Sequence, residues 1–93
     1  MNKNKLKLAR NKVDQLDQKI FNLIKKRTQI IKYILNLKRH KKEIVDHKRN
    51  NEIFKKIKKK SIKNRIDPKI TTRIWNAMIW SFADFQKRNF KKK

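Results

Sequence analysis

Two cations on an otherwise apolar helix stripe are the residues of this sequence with the clearest potential for chemistry. Apolar residues recur in steps of three and four from Leu6 to Leu37, and Arg27 takes the place of an aliphatic side chain in that series. Lys38 follows eleven residues later, about three helical turns, and so projects from nearly the same face. Because arginine keeps its charge when it is buried, Arg27 needs a negative partner. That partner could be an acid elsewhere in the chain, but with 30 Lys plus Arg and only 7 Asp plus Glu we favour an anionic ligand.

Arginine is the cation best suited to a carboxylate, because its planar fork forms two parallel hydrogen bonds. Arg10 and Arg27 are seventeen residues apart, hence ~25 Å along one helix, and cannot hold one small ligand from the same chain. Antiparallel pairing of two copies would bring Arg10 of one protomer beside Arg27 of the other, which predicts a shared site at a dimer interface. Arg49 precedes Ile53 by one turn and is expected to face inward.

The composition predicts an all-helical protein. The chain has no Gly, one Pro and no period-2 alternation, and its 93 residues suit one domain with a small core. We predict a single domain over residues 1–93, with residues 1–5 and 88–93 frayed. The first helix is expected from Leu6 to Lys38 with a buried apolar stripe. At about 50 Å it is too long for one such chain to cover, which predicts a homodimer.

Two further helices are predicted after a basic connector. Asp46 is expected to cap the second helix, which ends near Asn64 as a left-handed C-cap. Asp67 followed by Pro68 is typical of a helix start. Gln86 ends an apolar row of the third helix; either the helix re-emerges into water there, or the amide belongs to a site. Phe90 and the lysines after it are expected to be exposed.

Several kinds of chemistry are excluded by the residues present. The chain has no cysteine, so it has no disulfide and no thiolate chemistry, and this fits a reducing compartment. His40 and His47 lack a third ligand at metal spacing, and no phosphate-binding glycine loop, Ser-His-Asp set or carboxylate pair is present. We therefore expect neither a metal nor a cofactor. Without a long apolar run we expect no signal peptide and no membrane span, and a cytoplasmic location.

The net charge of +23 raises the possibility of a nucleic-acid partner. Lys, Asn and Ile are common here and are all encoded by A/T-rich codons, so compositional drift explains the charge without a nucleic-acid partner. The aromatic residues are interleaved with the core stripes and not with the basic runs, which predicts no platform for stacking bases. We therefore favour drift over a basic helical nucleic-acid-binding protein.

A series of short motifs follows a fixed order along nearly the whole chain, from Leu6 to Gln86. In order, the motifs are Arg10-x-x-Val13-Asp14-x-x-Asp17, Leu23-Ile24-x-x-Arg27, Lys38, Val45-Asp46-x-x-Arg49, Asp67-Pro68 and Gln86. The ordered set resembles the all-helical, type II chorismate mutases. This resemblance implies an intertwined homodimer of three-helix protomers, with two equivalent active sites that are each completed by an arginine from the other chain.

The resemblance also implies a role for each matching residue. Arg10 of the partner subunit and Arg27 would bind the two carboxylates of chorismate. Lys38 and Gln86 would donate hydrogen bonds to the ether oxygen of the breaking bond. The implied reaction is the rearrangement of chorismate to prephenate in the shikimate pathway, for aromatic amino acid biosynthesis. It needs no nucleophile, base or metal, which agrees with the exclusions above.

Four more residues are implied to line the substrate. Arg49 would lie near Arg27, and the backbone at Asp46 would help to fix the ring hydroxyl. The sequence departs from the family pattern at Asn50, where many members have Glu, and at Phe82, where a small polar residue is common. At both positions the sequence is similar to the related isochorismate pyruvate-lyases, which share the fold. Isochorismate pyruvate-lyase activity therefore remains an alternative.

Overall fold

The computed structural model describes residues 2–92, and Met1 and Lys93 lie outside the described residues. The described chain is all-helical, as predicted. It contains α1 (Lys3–Leu37), a short 3₁₀ turn (Lys41–Glu43), α2 (His47–Lys63) and α3 (Pro68–Asn89). No helix of the described residues is long and apolar enough to cross a membrane.

The chain divides into two compact units. The first is Met1–Ile31 and consists of most of α1; the second is Lys32–Lys93 and contains the end of α1, the 3₁₀ turn, α2 and α3. In the second unit α2 packs against α3.

The start of α1, in the segment that the sequence predicted to be frayed, is capped by a side chain. The Oδ1 atom of Asn2 accepts hydrogen bonds from the backbone N–H groups of Asn4 and Lys5, both at 3.1 Å. These N–H groups have no partner inside the helix, so the cap stabilises the first turn. The helix therefore begins at Lys3.

The starts of α2 and α3 confirm the two predicted N-caps. Oδ1 of Asp46 accepts a hydrogen bond of 2.9 Å from the backbone of Arg49, and Oδ1 of Asp67 accepts one of 2.9 Å from Lys69. Pro68 occupies the first turn of α3, where its missing N–H is no loss. Substituting such a cap by alanine typically costs ~1 kcal/mol.

The predicted left-handed cap at Asn64 is wrong. Asn64 has a φ of −96°, and the residue with a positive φ, 57°, is Arg65. The side-chain amide of Asn64 donates a 2.8 Å hydrogen bond to the carbonyl of Lys60. The backbone N–H of Asn64 donates to the same carbonyl at 3.0 Å, so Asn64 still continues the helical bonding and the positive φ comes one residue later, at Arg65.

A pair of hydroxyl groups joins α2 to α3 at the end where the two helices connect. Ser61 is 3% exposed, and its Oγ lies 2.6 Å from Oγ1 of Thr71 and 2.6 Å from the carbonyl oxygen of Ile57. Because a buried hydroxyl is stable only when it is hydrogen-bonded, this pair fixes the register of the two helices.

The end of α3 also differs from the prediction. Phe90 is half-buried and packs against the cluster formed by Leu35, Ile44 and Ala83. The expected exposure of Phe90 is therefore wrong, and α3 continues to Asn89, just before it. Lys91 and Lys92 are exposed, as predicted.

The apolar stripe of α1 is exposed in the single chain, although the sequence predicted its burial. Stripe residues that are more than half exposed are Val13, Leu16, Ile20, Leu23, Ile30 and Leu37. Burial of apolar surface contributes ~25 cal/mol per Å², so covering this stripe with a partner would be strongly stabilising. Exposed patches of this kind mark interaction surfaces.

Candidate active site

The second unit brings together two residues that were predicted to act on the same oxygen. Nζ of Lys38 donates a hydrogen bond of 2.8 Å to Oε1 of Gln86. Gln86 is 6% exposed and shares a face of α3 with the buried residues Ile79 and Ala83, at steps of four and three. The helix therefore does not re-emerge into water at Gln86, which was one of the two alternatives. Instead, the amide is part of a buried polar pair.

The orientation of the Gln86 amide leaves donors available. Its Nε2 donates to the backbone carbonyl of Phe82 at 3.3 Å, while its Oε1 accepts from Lys38. A primary amide has two N–H groups and an ammonium has three, so each side chain can make a further hydrogen bond. The pair can therefore present two N–H donors to one ligand oxygen.

The charge of Lys38 is held in partly desolvated surroundings. Burial lowers the pKa of Lys38 from its ordinary value of 10.5, and the negative charges of Glu43 and Asp46 act in the opposite direction. Glu43 is itself fixed, because its Oε2 accepts a 3.2 Å hydrogen bond from the backbone N–H of Arg39. A cation at such a boundary interacts with an anion more strongly than it would in bulk water.

The apolar floor beside this pair includes residues from the connector. Ile44 is 6% exposed and packs with Leu35 and Ala83, and Val45 is half-buried against them. From the sequence, the segment between α1 and α2 is expected to be a basic connector, with no core role for Ile44. The signal in the sequence that could have predicted this core position is the pair of adjacent aliphatic residues Ile44 and Val45 within a basic segment.

The start of α2 places three more predicted residues. Asp46 is exposed and caps the helix, and the backbone N–H of Asn50 donates to the Asp46 carbonyl at 2.9 Å. Asn50 is half-buried, whereas Arg49 is exposed, so the predicted inward position of Arg49 is wrong for the single chain. The buried face of α2 passes through Asn50 and Ser61, and Arg49 lies about 100° away from Asn50 around the helix.

Of the three remaining predicted residues, Phe82 is half-buried on α3, and Arg27 and Arg10 belong to the first unit. Arg27 is half-buried, and its Nη1 atom is shielded from solvent. Arg10 is exposed and contributes to a shallow groove along one face of its own helix. The other residues of that groove are Lys3, Leu6, Lys7 and Asn11. Lys38 and Gln86 belong to the second unit.

The comparison with known families decides the affiliation of this chain. The sequence matches the family described as chorismate mutase type II over residues 9–87. The chain belongs to the chorismate mutase type II family. No curated protein and no solved structure gives a significant match.

The match to the chorismate mutase type II family covers every predicted site residue from Arg10 to Gln86. The Lys38–Gln86 pair lies in the same region as an apolar cluster, and its remaining N–H donors could stabilise an oxygen on which negative charge develops. Among residues 2–92, no group of three or more His, Cys, Asp and Glu side chains is placed to hold a metal ion.

Proposed function

We propose that this protein is a chorismate mutase, an isomerase that converts chorismate to prephenate. The observation that carries the proposal is the hydrogen bond between Lys38 and Gln86, formed by two residues of the family motif at a buried position. The family match supports the same substrate. The shikimate pathway and a cytoplasmic location remain predictions from the sequence.

The proposed reaction is a rearrangement within one molecule. The ether C–O bond breaks while a C–C bond forms, and no proton, electron or group is exchanged with the protein. Catalysis then depends on holding the reactive conformer and on stabilising charge. Lys38 and Gln86 donate to the ether oxygen, which becomes more negative as its bond breaks, so their hydrogen bonds strengthen in the transition state.

The two carboxylates of the substrate need separate cations. We assign one carboxylate to Arg27 and the other to Arg10 of the partner subunit, because these arginines are ~25 Å apart along one helix. The exposed apolar stripe of α1 supports a homodimer in which two α1 helices run antiparallel. The same dimer would place Arg49 at the site despite its exposure in the single chain.

Asn50 and Phe82 favour the alternative activity, isochorismate pyruvate-lyase. Both are half-buried, so both are available to line a substrate ring. Asn50 can accept a hydrogen bond from a ring hydroxyl, with the Asp46 backbone beside it, but it has no charge. Phe82 adds an apolar surface where a polar contact is common in the mutases.

A parallel assay of the purified protein on both substrates tests these activities. Supplied with chorismate, a mutase produces prephenate; supplied with isochorismate, a lyase releases salicylate and pyruvate. Lys38→Ala serves as the inactive control, and Lys42→Ala, an exposed lysine of the connector, serves as the matched active control. Prephenate formation that Lys38→Ala does not reduce would contradict the proposed site.

A further inference from the structure

A second groove lies between α2 and α3, within the second unit. It has a volume of ≈ 460 Å³ and is open to solvent. The residues that line it are Phe54, Lys55 and Lys58 from α2, and Thr72, Arg73 and Asn76 from α3. None of the six is among the residues assigned above to the mutase reaction.

The groove is displaced along α3 from the Lys38–Gln86 pair. On α2 its floor residue Phe54 follows Asn50 by one turn, whereas Lys55 and Lys58 lie about 140° and 80° from Asn50 around the helix. On α3, Asn76 precedes Gln86 by ten residues, a separation of ~15 Å along the axis. Substitutions in the groove can therefore be made without touching the Lys38–Gln86 pair.

The lining of the groove is strongly basic around an apolar floor. Lys55, Lys58 and Arg73 are exposed cations, and Phe54 is half-buried beneath them. No lining residue is acidic; Glu52, one turn before Lys55, is exposed and does not line the groove. Three cations that converge without a counter-charge create a positive potential along the groove.

An exposed aromatic pair continues the groove toward the start of α2. Trp80 lies one turn after Asn76 on α3 and is 41% exposed. Its ring centroid is 6.4 Å from that of His47, with an angle of 54° between the ring planes. The structure thus provides an exposed aromatic surface beside the basic residues, where the sequence predicted no platform for stacking bases.

We propose that this groove binds single-stranded nucleic acid. Lys55, Lys58 and Arg73 contact phosphates, and a base stacks on Trp80 beside His47. Binding of single strands without sequence preference combines a basic groove with aromatic stacking in this way. A duplex does not expose base faces, so it is not expected to use Trp80.

The shape of the groove favours an extended ligand over a small one. Sites for small molecules enclose most of the ligand surface, and this groove is too open to do so. From His47 to Lys58 the surface extends eleven residues of α2, ~16 Å. At ~3.4 Å per stacked nucleotide this length accommodates about five nucleotides, within the range of known single-strand sites.

Because the whole chain is basic, charge substitutions inside and outside the groove are compared to test whether single-stranded nucleic acid binds in the groove. We compare Lys55→Gln/Lys58→Gln/Arg73→Gln with Lys25→Gln/Lys32→Gln/Lys42→Gln, which removes the same charge from exposed positions elsewhere. Fluorescence anisotropy with a labelled oligothymidylate is measured over a salt series, and circular dichroism verifies folding. The groove variant is expected to lose about tenfold in affinity and to reduce the salt slope by about 2, at ~0.7 per lost phosphate contact. If both triple variants lose the same affinity, the binding depends only on the overall charge of the chain, and the proposal is overturned.

The stacking contact has its own test. Trp80→Ala is expected to weaken oligothymidylate binding about tenfold, and Trp80→Phe is expected to restore most of it. In a Trp75→Phe background Trp80 is the only tryptophan, and its fluorescence should be quenched on binding. Unchanged affinity in Trp80→Ala would overturn the assignment. Binding of duplex DNA or of anionic vesicles with the same dependence on the groove lysines would also overturn the assignment.

Discussion

Nζ of Lys38 lies 2.8 Å from Oε1 of Gln86, although 48 residues separate them in the sequence. The contact joins the residue that follows α1 to the last turns of α3. Ile44 and Ala83 provide apolar surface in the same region of the second unit. A charged donor and a buried amide are thereby held in place, and donors held in this way would lower the barrier of the proposed reaction without reorganising.

Removal of the Lys38 ammonium should affect catalysis far more than folding. Lys38→Ala is expected to reduce kcat/KM by a factor on the order of 10²–10³, the usual effect of losing one charged donor. The free energy of unfolding should fall by about 1–3 kcal/mol, since the buried Oε1 of Gln86 loses its hydrogen bond. Steady-state kinetics and urea unfolding measure the two effects, with Lys42→Ala as control. Normal turnover in Lys38→Ala would remove Lys38 from the mechanism.

Gln86→Glu should make the activity depend on acid. The ammonium of Lys38 favours the ionised carboxylate, which has no N–H donor and repels an oxygen that gains negative charge. We expect roughly a 100-fold loss at neutral pH, with recovery as the carboxyl is protonated. A pH profile of kcat/KM measures this, and Gln29→Glu, at an exposed position of α1, is the matched control. A flat profile for Gln86→Glu would show that the amide does not face the reacting oxygen.

The lowered pKa of Lys38 predicts an alkaline limb in the activity. Because burial lowers this pKa below 10.5, kcat/KM should begin to fall at a lower pH than for a free lysine. Lys38→Arg keeps its charge to higher pH and, where active, should extend the limb upward.

The same shift affects stability through proton linkage. Between the lowered folded pKa and 10.5 the unfolded chain binds more protons at this group than the folded chain. The contribution of Lys38 to the free energy of unfolding therefore rises with pH across that window. If the free energy of unfolding of the wild type falls relative to that of Lys38→Gln as the pH rises through this window, the shift is contradicted.

The exposed stripe of α1 should be the dimer interface. Leu16→Glu/Ile20→Glu places two charges on the stripe and is expected to yield monomers with little mutase activity, because burying unpaired charges is costly. Gln15→Glu/Asn22→Glu adds the same charge on the opposite side of α1 and should remain dimeric. Sedimentation velocity distinguishes the species. A wild-type monomer with full activity would overturn the dimer.

A shared site predicts complementation between inactive chains. Arg10→Ala and Arg27→Ala should each be inactive alone, while a mixed dimer retains one site with both arginines. Random equal mixing gives half mixed dimers, so about a quarter of wild-type activity should return. Differently tagged chains confirm that mixed dimers form. Mixed dimers without activity would contradict the assignment of Arg10 to the partner's site.

The sequence predicted the elements and the helix starts well, because these depend on neighbours in the chain. Apolar periodicity specified α1 and α3, and the short carboxylates of Asp46 and Asp67 specified the caps, since a cap needs only the next three residues. Helix ends were harder to predict. Asn64 and Phe90 were wrongly described because a side-chain bond to Lys60 and a distant core cluster decided them.

By itself the sequence determined an all-helical chain of the chorismate mutase type II family, with Lys38 and Gln86 as candidate donors. Only the tertiary structure decided that Gln86 turns into the core to meet Lys38, that Ile44 packs in the same region, and that Trp80 contacts His47 next to a basic groove. The physical reason is range. Local propensity and periodicity act within a few residues, whereas burial and long-range hydrogen bonds depend on which helix faces pack together.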